Sequence, residues 1–183
     1  RAHYEGLFAR PARTCYNGID LDYYRPLDVP RSNRFLFLAR FSAVKSPHLS
    51  IEACKNAEVG LDLIGDTSIT NEPEYLKKCE EMCHWGAWYN SATARKDLDW
   101  GNKVRMGGPA TRGETVWWFS QARGFLHLAP NFREPFGLAP VEAQACGLPV
   151  CCWNFGAMRE TVKHGETGFL VSSQQDMVEI IKT

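Results

Sequence analysis

Two carboxylates eight positions apart, Glu134 and Glu142, stand in the stretch NFREPFGLAPVEAQACGLP that runs from Asn131 to Pro149. The apolar run Gly124 to Leu128 before it reads as a buried strand, and Gly147 closes a short helix after it. Glu134, Phe136 and Gly137 therefore fall in a loop between a strand and a helix N-terminus. The first amides of a helix lack intrahelical partners and sit at the positive end of its dipole, so such a loop suits an anion, phosphate above all. Gly137 lets a ligand approach the backbone. Glu142, about one and a half turns further on, can accept hydrogen bonds from hydroxyls of a ligand whose phosphates lie at the helix start. The combination points to a phosphorylated sugar derivative, against the plain alternative of a helix cap and a solvated helix residue. A second charged element, LARFSAVKSP, carries Arg40 and Lys45.

Positioning these residues requires strands that deliver both loops to one place. Strand-like runs at Arg34 to Ala39, Leu61 to Gly65, Lys103 to Gly107, Gly124 to Leu128, Val150 to Trp153 and Gly168 to Val171 alternate with helical segments. Ser46-Pro47 predicts an N-cap and first residue for a helix to about Ala57, with Ile51 and Cys54 inward. Pro73 opens a helix within Asn71 to Cys83. Thr111-Arg112-Gly113-Glu114 has capping-box form and starts a helix through about Arg123, with Val116, Trp117 and Ser120 on one side. Helices at Gly137 to Cys146 and around Arg159 to Val162 follow, and Ser172 or Ser173 caps a last one. The alternation predicts an α/β fold, a Rossmann-like doubly wound parallel sheet of about six strands in the order 3-2-1-4-5-6. Strands 1 and 4 then adjoin at the switch point, and the Arg40–Lys45 loop meets the Glu134 loop.

Length and composition bound the rest. A chain of 183 residues that is 44% hydrophobic has material for one substantial core. Twenty-one basic and twenty-one acidic residues balance, which removes the electrostatic footprint of a general nucleic-acid binder. No apolar run reaches the roughly 18 to 20 residues that span a bilayer, and the first residues lack a signal peptide's pattern. Seven cysteines, mostly within helical or strand-like runs, read as small buried hydrophobes in a reducing compartment. A cytoplasmic location is expected, with peripheral membrane association left open for a longer protein.

The segment EPFGLAPVEAQACGLPV is similar to the E-x7-E signature of retaining GT-B glycosyltransferases of the family 4 type, and the chain resembles their C-terminal, donor-binding domain. YNGIDLDYYRP resembles the linker through which these enzymes enter that domain. The resemblance thus assigns residues 1–24 to an interdomain linker and 25–183 to the nucleotide-sugar domain, the acceptor domain lying outside this chain. LARFSAVKSP resembles the family's GR-x4-K element, with Ala39 in place of glycine. By this resemblance Arg40 and Lys45 hold the donor diphosphate and stabilise it as it leaves, and Glu134 meets the transferred sugar and helps polarise the reacting centre. Glu142 binds the ribose. Phe136, Gly137 and Leu138 touch sugar and phosphates through the backbone. Gly65 ends a strand facing the same edge and either lets the nucleotide approach or is an ordinary turn glycine. The implied reaction moves a hexose from a nucleoside diphosphate sugar to a sugar, lipid or other acceptor, with no cofactor and no metal, and the isolated chain is expected to transfer nothing. FGAMRETVKHGETGFLV resembles the family's ending, with Ala157 and Arg159 where glycine and proline are common, and receives no site role. A sugar-nucleotide epimerase or hydrolase, and a non-catalytic nucleotide-binding module, remain as alternatives.

Other constellations point elsewhere. Asp20-Leu21-Asp22 and Asp97-Leu98-Asp99 spell a metal-binding D-x-D, but neither ends a strand. Cys79, Cys83 and His84 lack the second paired ligand set of a closed zinc site. His127 reads as a core or rim histidine. The Trp-rich stretch from His84 to Asn102 reads as an insertion packing on itself, or alternatively as a partner, acceptor or membrane-surface patch.

Overall fold

The computed structural model describes residues 13–67, 71–89 and 101–183. The strands are β1 (Arg34–Leu38), β2 (Gly60–Ile64), β3 (Trp85–Tyr89), β4 (Val104–Gly107), β5 (Gly124–His127), β6 (Val150–Trp153) and β7 (Gly168–Val171). The described helices are α1 (Pro47–Ala57), α2 (Pro73–Met82), α3 (Arg112–Gln121), α4 (Leu138–Ala145), α5 (Met158–Thr161) and α6 (Gln174–Lys182). All strand pairs are parallel, in the order β3-β4-β2-β1-β5-β6-β7. Six of these strands reproduce the expected 3-2-1-4-5-6. The seventh, β3, corrects the reading of the stretch from His84 as a self-packing loop, because its first residues extend the sheet beside β4. Residues 90–100, with the second D-x-D, lie outside the described residues.

Strands β1, β2, β5 and β6 each feed two cores. In β1, Phe35 and Phe37 join one cluster with Ile51 and Cys54 of α1 and Met177 and Ile181 of α6, whereas Leu36 joins a second with Trp118 and Phe119 of α3 and Ala143 of α4. Burial on both faces explains why β1 carries the unbroken apolar run Phe35–Leu38. Helix α3 departs from the one-sided pattern expected of it, since every residue from Thr115 to Gln121 is buried. The cause is the segment before β1. Tyr24 packs into the second cluster, the Leu27 amide donates to Ser120 Oγ at 3.0 Å, and the Ser32 amide donates to the Gln121 carbonyl at 2.7 Å.

The capping box at Thr111 with Glu114 falls where the sequence places it, and of the two serines offered as cap of the last helix Ser173 takes the role, in a second box with Asp176. Ser46 does not act as the expected cap. It sits at φ 51°, ψ 47°, and its hydroxyl donates to the Ala43 carbonyl at 2.9 Å, so the side chain closes the preceding loop instead of the helix.

A buried charge network joins three adjacent strands. Asp62 of β2 lies opposite Arg105 of β4 and diagonal to Arg34 of β1, on the same face. Its carboxylate receives Arg34 Nη2 at 2.8 Å and Arg105 Nε at 2.7 Å, with all three residues buried. Burial alone raises the Asp62 pKa, but the two guanidiniums outweigh it and hold the carboxyl below its ordinary value. An acid depressed in this way stabilises the fold above its unfolded pKa, about 4, and loses that contribution as the pH falls. Asp62→Asn leaves the guanidiniums facing a neutral amide and is expected to lose about 3 to 5 kcal/mol. Urea unfolding checks the loss, and the variant's stability should also fall less steeply with acid below about pH 4. A loss under about 1 kcal/mol would show that the network is not what holds this edge of the sheet together.

Candidate functional site

Parallel β1 and β5 end at one edge of the sheet, and the loops that follow them enclose an open pocket of about 360 Å³. Arg40 and Lys45 line it from the β1 side. His127, Glu134, Phe136, Gly137 and Leu138 line it from the β5 side, and Asn17 comes from the linker.

An ion cluster spans the pocket. Lys45 Nζ donates to Glu134 Oε2 at 2.5 Å, and His127 Nε2 lies 3.3 Å from the same oxygen. The Lys45 ammonium also sits 4.3 Å from the centre of the Phe132 ring. Burial raises the Glu134 pKa, but His127 and Lys45 outweigh it and bring the value to about 2. Glu134 is therefore a carboxylate across the neutral range. Among the described residues Arg40 has no ion-pair partner, so its charge is available to a ligand.

The second component is the start of α4. No side chain caps it, and Pro140 at its third position has no N–H, so the Leu138 and Ala139 amides are left without intrahelical partners. Gly137 turns the chain into the helix at φ 84°, and a Cβ there would lie 2.4 Å from Met158 Cε of α5. The segment leading into α5 braces the loop from behind, since the Ala157 amide donates to the Glu134 carbonyl at 3.0 Å. The linker adds Tyr16, whose hydroxyl donates to Glu160 and whose ring lies 6.4 Å from that of Phe136.

Six of the eight residues marked in the sequence thus share the pocket: Arg40, Lys45, Glu134, Phe136, Gly137 and Leu138. Glu142 lies further along α4, half-buried, beside the Tyr24 hydroxyl, whose pKa is raised by burial and then by Glu142, against the lowering effect of Arg112. Gly65 does not line the pocket. A Cβ there would fall 1.9 Å from the Ala39 carbonyl oxygen, so its missing side chain serves the packing of β2's end against β1's. Two contributors escaped the sequence reading. His127, read as a core or rim histidine, is buried and turned to Glu134, and FGAMRET, given no role, supports the Glu134 loop. The strand register could have flagged His127, because strand alternation brings the end of β5 to the switch point.

The remaining candidates resolve locally. Asp20 Oδ1 accepts the amides of Asp22 and Tyr23, each at 3.1 Å, as a turn-forming aspartate does. His84 Nδ1 accepts the Val104 amide at 3.1 Å, and the Cys83 thiol donates to the Cys79 carbonyl. Among the described residues no group of three or more His, Cys, Asp or Glu side chains is disposed to hold a metal ion. The cysteines from Cys15 to Cys152 are all free thiols, and no described helix is long and apolar enough to cross a membrane.

Residues 26–183 match the sequence profile of the family described as glycosyl transferases group 1. The chain is 29% identical over 171 residues to a D-inositol 3-phosphate glycosyltransferase of Thermobispora bispora, covering 84% of this chain and 37% of that protein. It is 30% identical over 186 residues to D-inositol 3-phosphate glycosyltransferase 1 of Catenulispora acidiphila, covering 89% and 40%. The chain therefore spans well under half the length of these relatives. The solved structure of Anabaena Alr3699/HepE in complex with UDP-glucose is similar with a TM-score of 0.71 at 26% identity, covering 91% of this chain and 45% of that one. The C-terminal domain of a group 1 glycosyl transferase family protein, LpcC, from Francisella tularensis shares the fold with a TM-score of 0.63 at 20% identity, covering 88% and 85%.

The Gly137 geometry yields a stability test. Gly137→Ala places a β-carbon at a left-handed position, at about 1 to 2 kcal/mol, and against Met158. In urea unfolding the loss should shrink in a Met158→Ala background, where the contact is relieved, yet stay positive because the backbone strain remains. A neutral Gly137→Ala would show that the turn into α4 is not fixed by glycine.

Proposed function

The chain belongs to the glycosyl transferases group 1 family, and from that premise we propose that it is the donor-binding part of a longer enzyme that moves a hexose from a nucleoside diphosphate sugar to an acceptor with retention of configuration. The observation that carries this reading is the convergence of Arg40, Lys45, Glu134 and the uncapped start of α4 on one pocket at the β1–β5 edge. Arg40, Lys45 and the helix amides form a positive field for a diphosphate whose charge grows as the sugar departs, which is electrostatic stabilisation of a leaving group without a divalent metal. Glu134, ionised and half-buried, is an acceptor for hydroxyls of the transferred hexose. Glu142 serves the ribose, with Tyr24 of the linker beside it. Lys45 and Glu134 satisfy each other, and the donor replaces both halves of that pair, diphosphate for one and hydroxyl for the other.

HepE, solved with UDP-glucose, supports a uridine nucleotide as the first donor to test. The D-inositol 3-phosphate glycosyltransferases support a hydroxyl-bearing acceptor, held mainly by the part of the enzyme outside this chain.

Titration calorimetry of this chain with UDP and UDP-glucose in the presence of chelator tests the reading. Both ligands are expected to bind, and Arg40→Ala to weaken both. Binding abolished by chelator and restored by magnesium would overturn the metal-free site.

The two glutamates serve opposite ends of one donor and separate in the same experiment. Glu142→Gln is expected to weaken UDP and UDP-glucose alike, by roughly 1.5 to 3 kcal/mol, the range for a hydrogen bond to a charged group. Glu134→Gln is expected to weaken UDP-glucose and leave UDP nearly untouched. Equal losses with the two ligands for Glu134→Gln would remove its assigned role.

A further inference from the structure

His127 closes β5 in a register where the preceding residues are apolar, and its side chain is only 7% exposed. Its Nε2 is buried with no hydrogen-bond partner, although it lies 3.3 Å from Oε2 of Glu134. A buried polar atom left unpaired is destabilising, so an imidazole nitrogen kept opposite a carboxylate needs a use beyond packing. The Lys45 ammonium meets that same Oε2, and neither group engages Oε1.

We propose that His127 is a positioning residue for Glu134: together with Lys45 it holds Oε2, leaving Oε1 as the oxygen for a hydroxyl of the transferred sugar, and it keeps that hold when an incoming diphosphate draws Lys45 away. This inference rests on the reading of the pocket as a donor site. A diphosphate that takes the Lys45 ammonium removes the strongest partner of a half-buried carboxylate. Without His127, Glu134 would then rotate towards water or take up a proton, and a protonated carboxyl is a poorer acceptor for a hydroxyl. With His127 in place, an aligned hydrogen bond from its ring to Oε2 can form as Lys45 leaves. His127 acts through Glu134 and touches no ligand, so its removal should show in what recognises the sugar and not in what recognises the diphosphate.

The test uses His127→Leu, His127→Gln and the His127→Leu/Glu134→Gln double variant, with UDP and UDP-glucose as probes in calorimetry. His127→Leu is expected to weaken UDP-glucose roughly tenfold and to change UDP less than twofold. Glutamine, which keeps a nitrogen donor at comparable reach, should restore most of the loss, and in the Glu134→Gln background the leucine substitution should add nothing. Equal losses for both probes, or the same loss without Glu134, would assign His127 to packing and overturn the proposal. A readout without ligand stands beside these. Carbon-13 NMR of the Glu134 carboxyl should show its titration, held at about 2, moving up in His127→Leu. A titration that stays in place refutes the positioning role whatever the pocket binds. A wild-type chain that binds neither probe refutes the donor-site reading instead and leaves the NMR to decide the role of His127. Unfolding curves confirm that each variant is folded, and His127→Phe replaces the leucine variant if that one is not.

Discussion

Because β1 and β5 pair in parallel, with Phe35 opposite Gly124 and Leu36 opposite Phe125, the chain leaves both strands at the same edge of the sheet. Gly124 fits this pairing closely, since a Cβ there would lie 2.8 Å from the Phe35 ring. From this seam the sheet grows in opposite directions, to β2, β4 and β3 on one side and to β6 and β7 on the other. The helices follow suit. α1, after β1, packs Ile51 and Cys54 into one core, and α4, after β5, packs Ala143 into the other. Two loops that start side by side and lead to opposite faces must part, and the gap between them is the pocket.

Two charge clusters in the same sheet show what separates support from function. Asp62 is enclosed by two guanidiniums, and Arg34 spends its other donors on the carbonyls of Leu61, Gly101 and Lys103. That network is buried and paired within the protein. The Lys45–Glu134 pair has side chains 14% and 13% exposed, one carboxylate oxygen that neither Lys45 nor His127 meets, and beside it Arg40, which has no ion-pair partner among the described residues. A carboxylate and an ammonium partly out of water attract each other strongly, but the Coulomb gain only about offsets their desolvation. Such a pair can be exchanged for a ligand of matching charge at modest net loss, which the wholly buried Asp62 network cannot.

Much of this was legible in the sequence because the signals are local. Strand runs, the Thr111–Glu114 capping box, the serine cap of the last helix and the E-x7-E stretch depend on residues near each other, and the parallel alternation then fixed the strand order and brought the Arg40–Lys45 and Glu134 loops together. What escaped depends on distance or on fine geometry. Asp62 within LDLIG looks like an ordinary strand interruption until Arg34 and Arg105 arrive from neighbouring strands. His127 belongs to the pocket only because β5 ends beside β1. Ser46 has the residue type of a cap but takes a left-handed backbone and turns its hydroxyl back to Ala43. Gly65 invited a ligand reading, yet the atom that needs its missing side chain is the Ala39 carbonyl, one strand away. The edge strand β3 was hidden because aromatic residues beside glycine suit a loop as well as a strand.

The neutral overall charge of the chain, with equal numbers of acidic and basic residues, makes the local arrangement the whole of the electrostatic argument. An anion gains nothing from the protein's net field, so its attraction comes from Arg40, Lys45 and the amides at the start of α4, acting over a few ångströms. On the donor-site reading, Glu134 pairs with Lys45 at little net gain, so a diphosphate that takes the ammonium loses little by breaking the pair. Glu134 then offers a hydroxyl acceptor. A ligand carrying only phosphates gains Lys45 and leaves the carboxylate to His127, whereas one carrying a hydroxylated sugar as well gains both partners. The same contact thereby becomes a source of discrimination in favour of the sugar-bearing diphosphate.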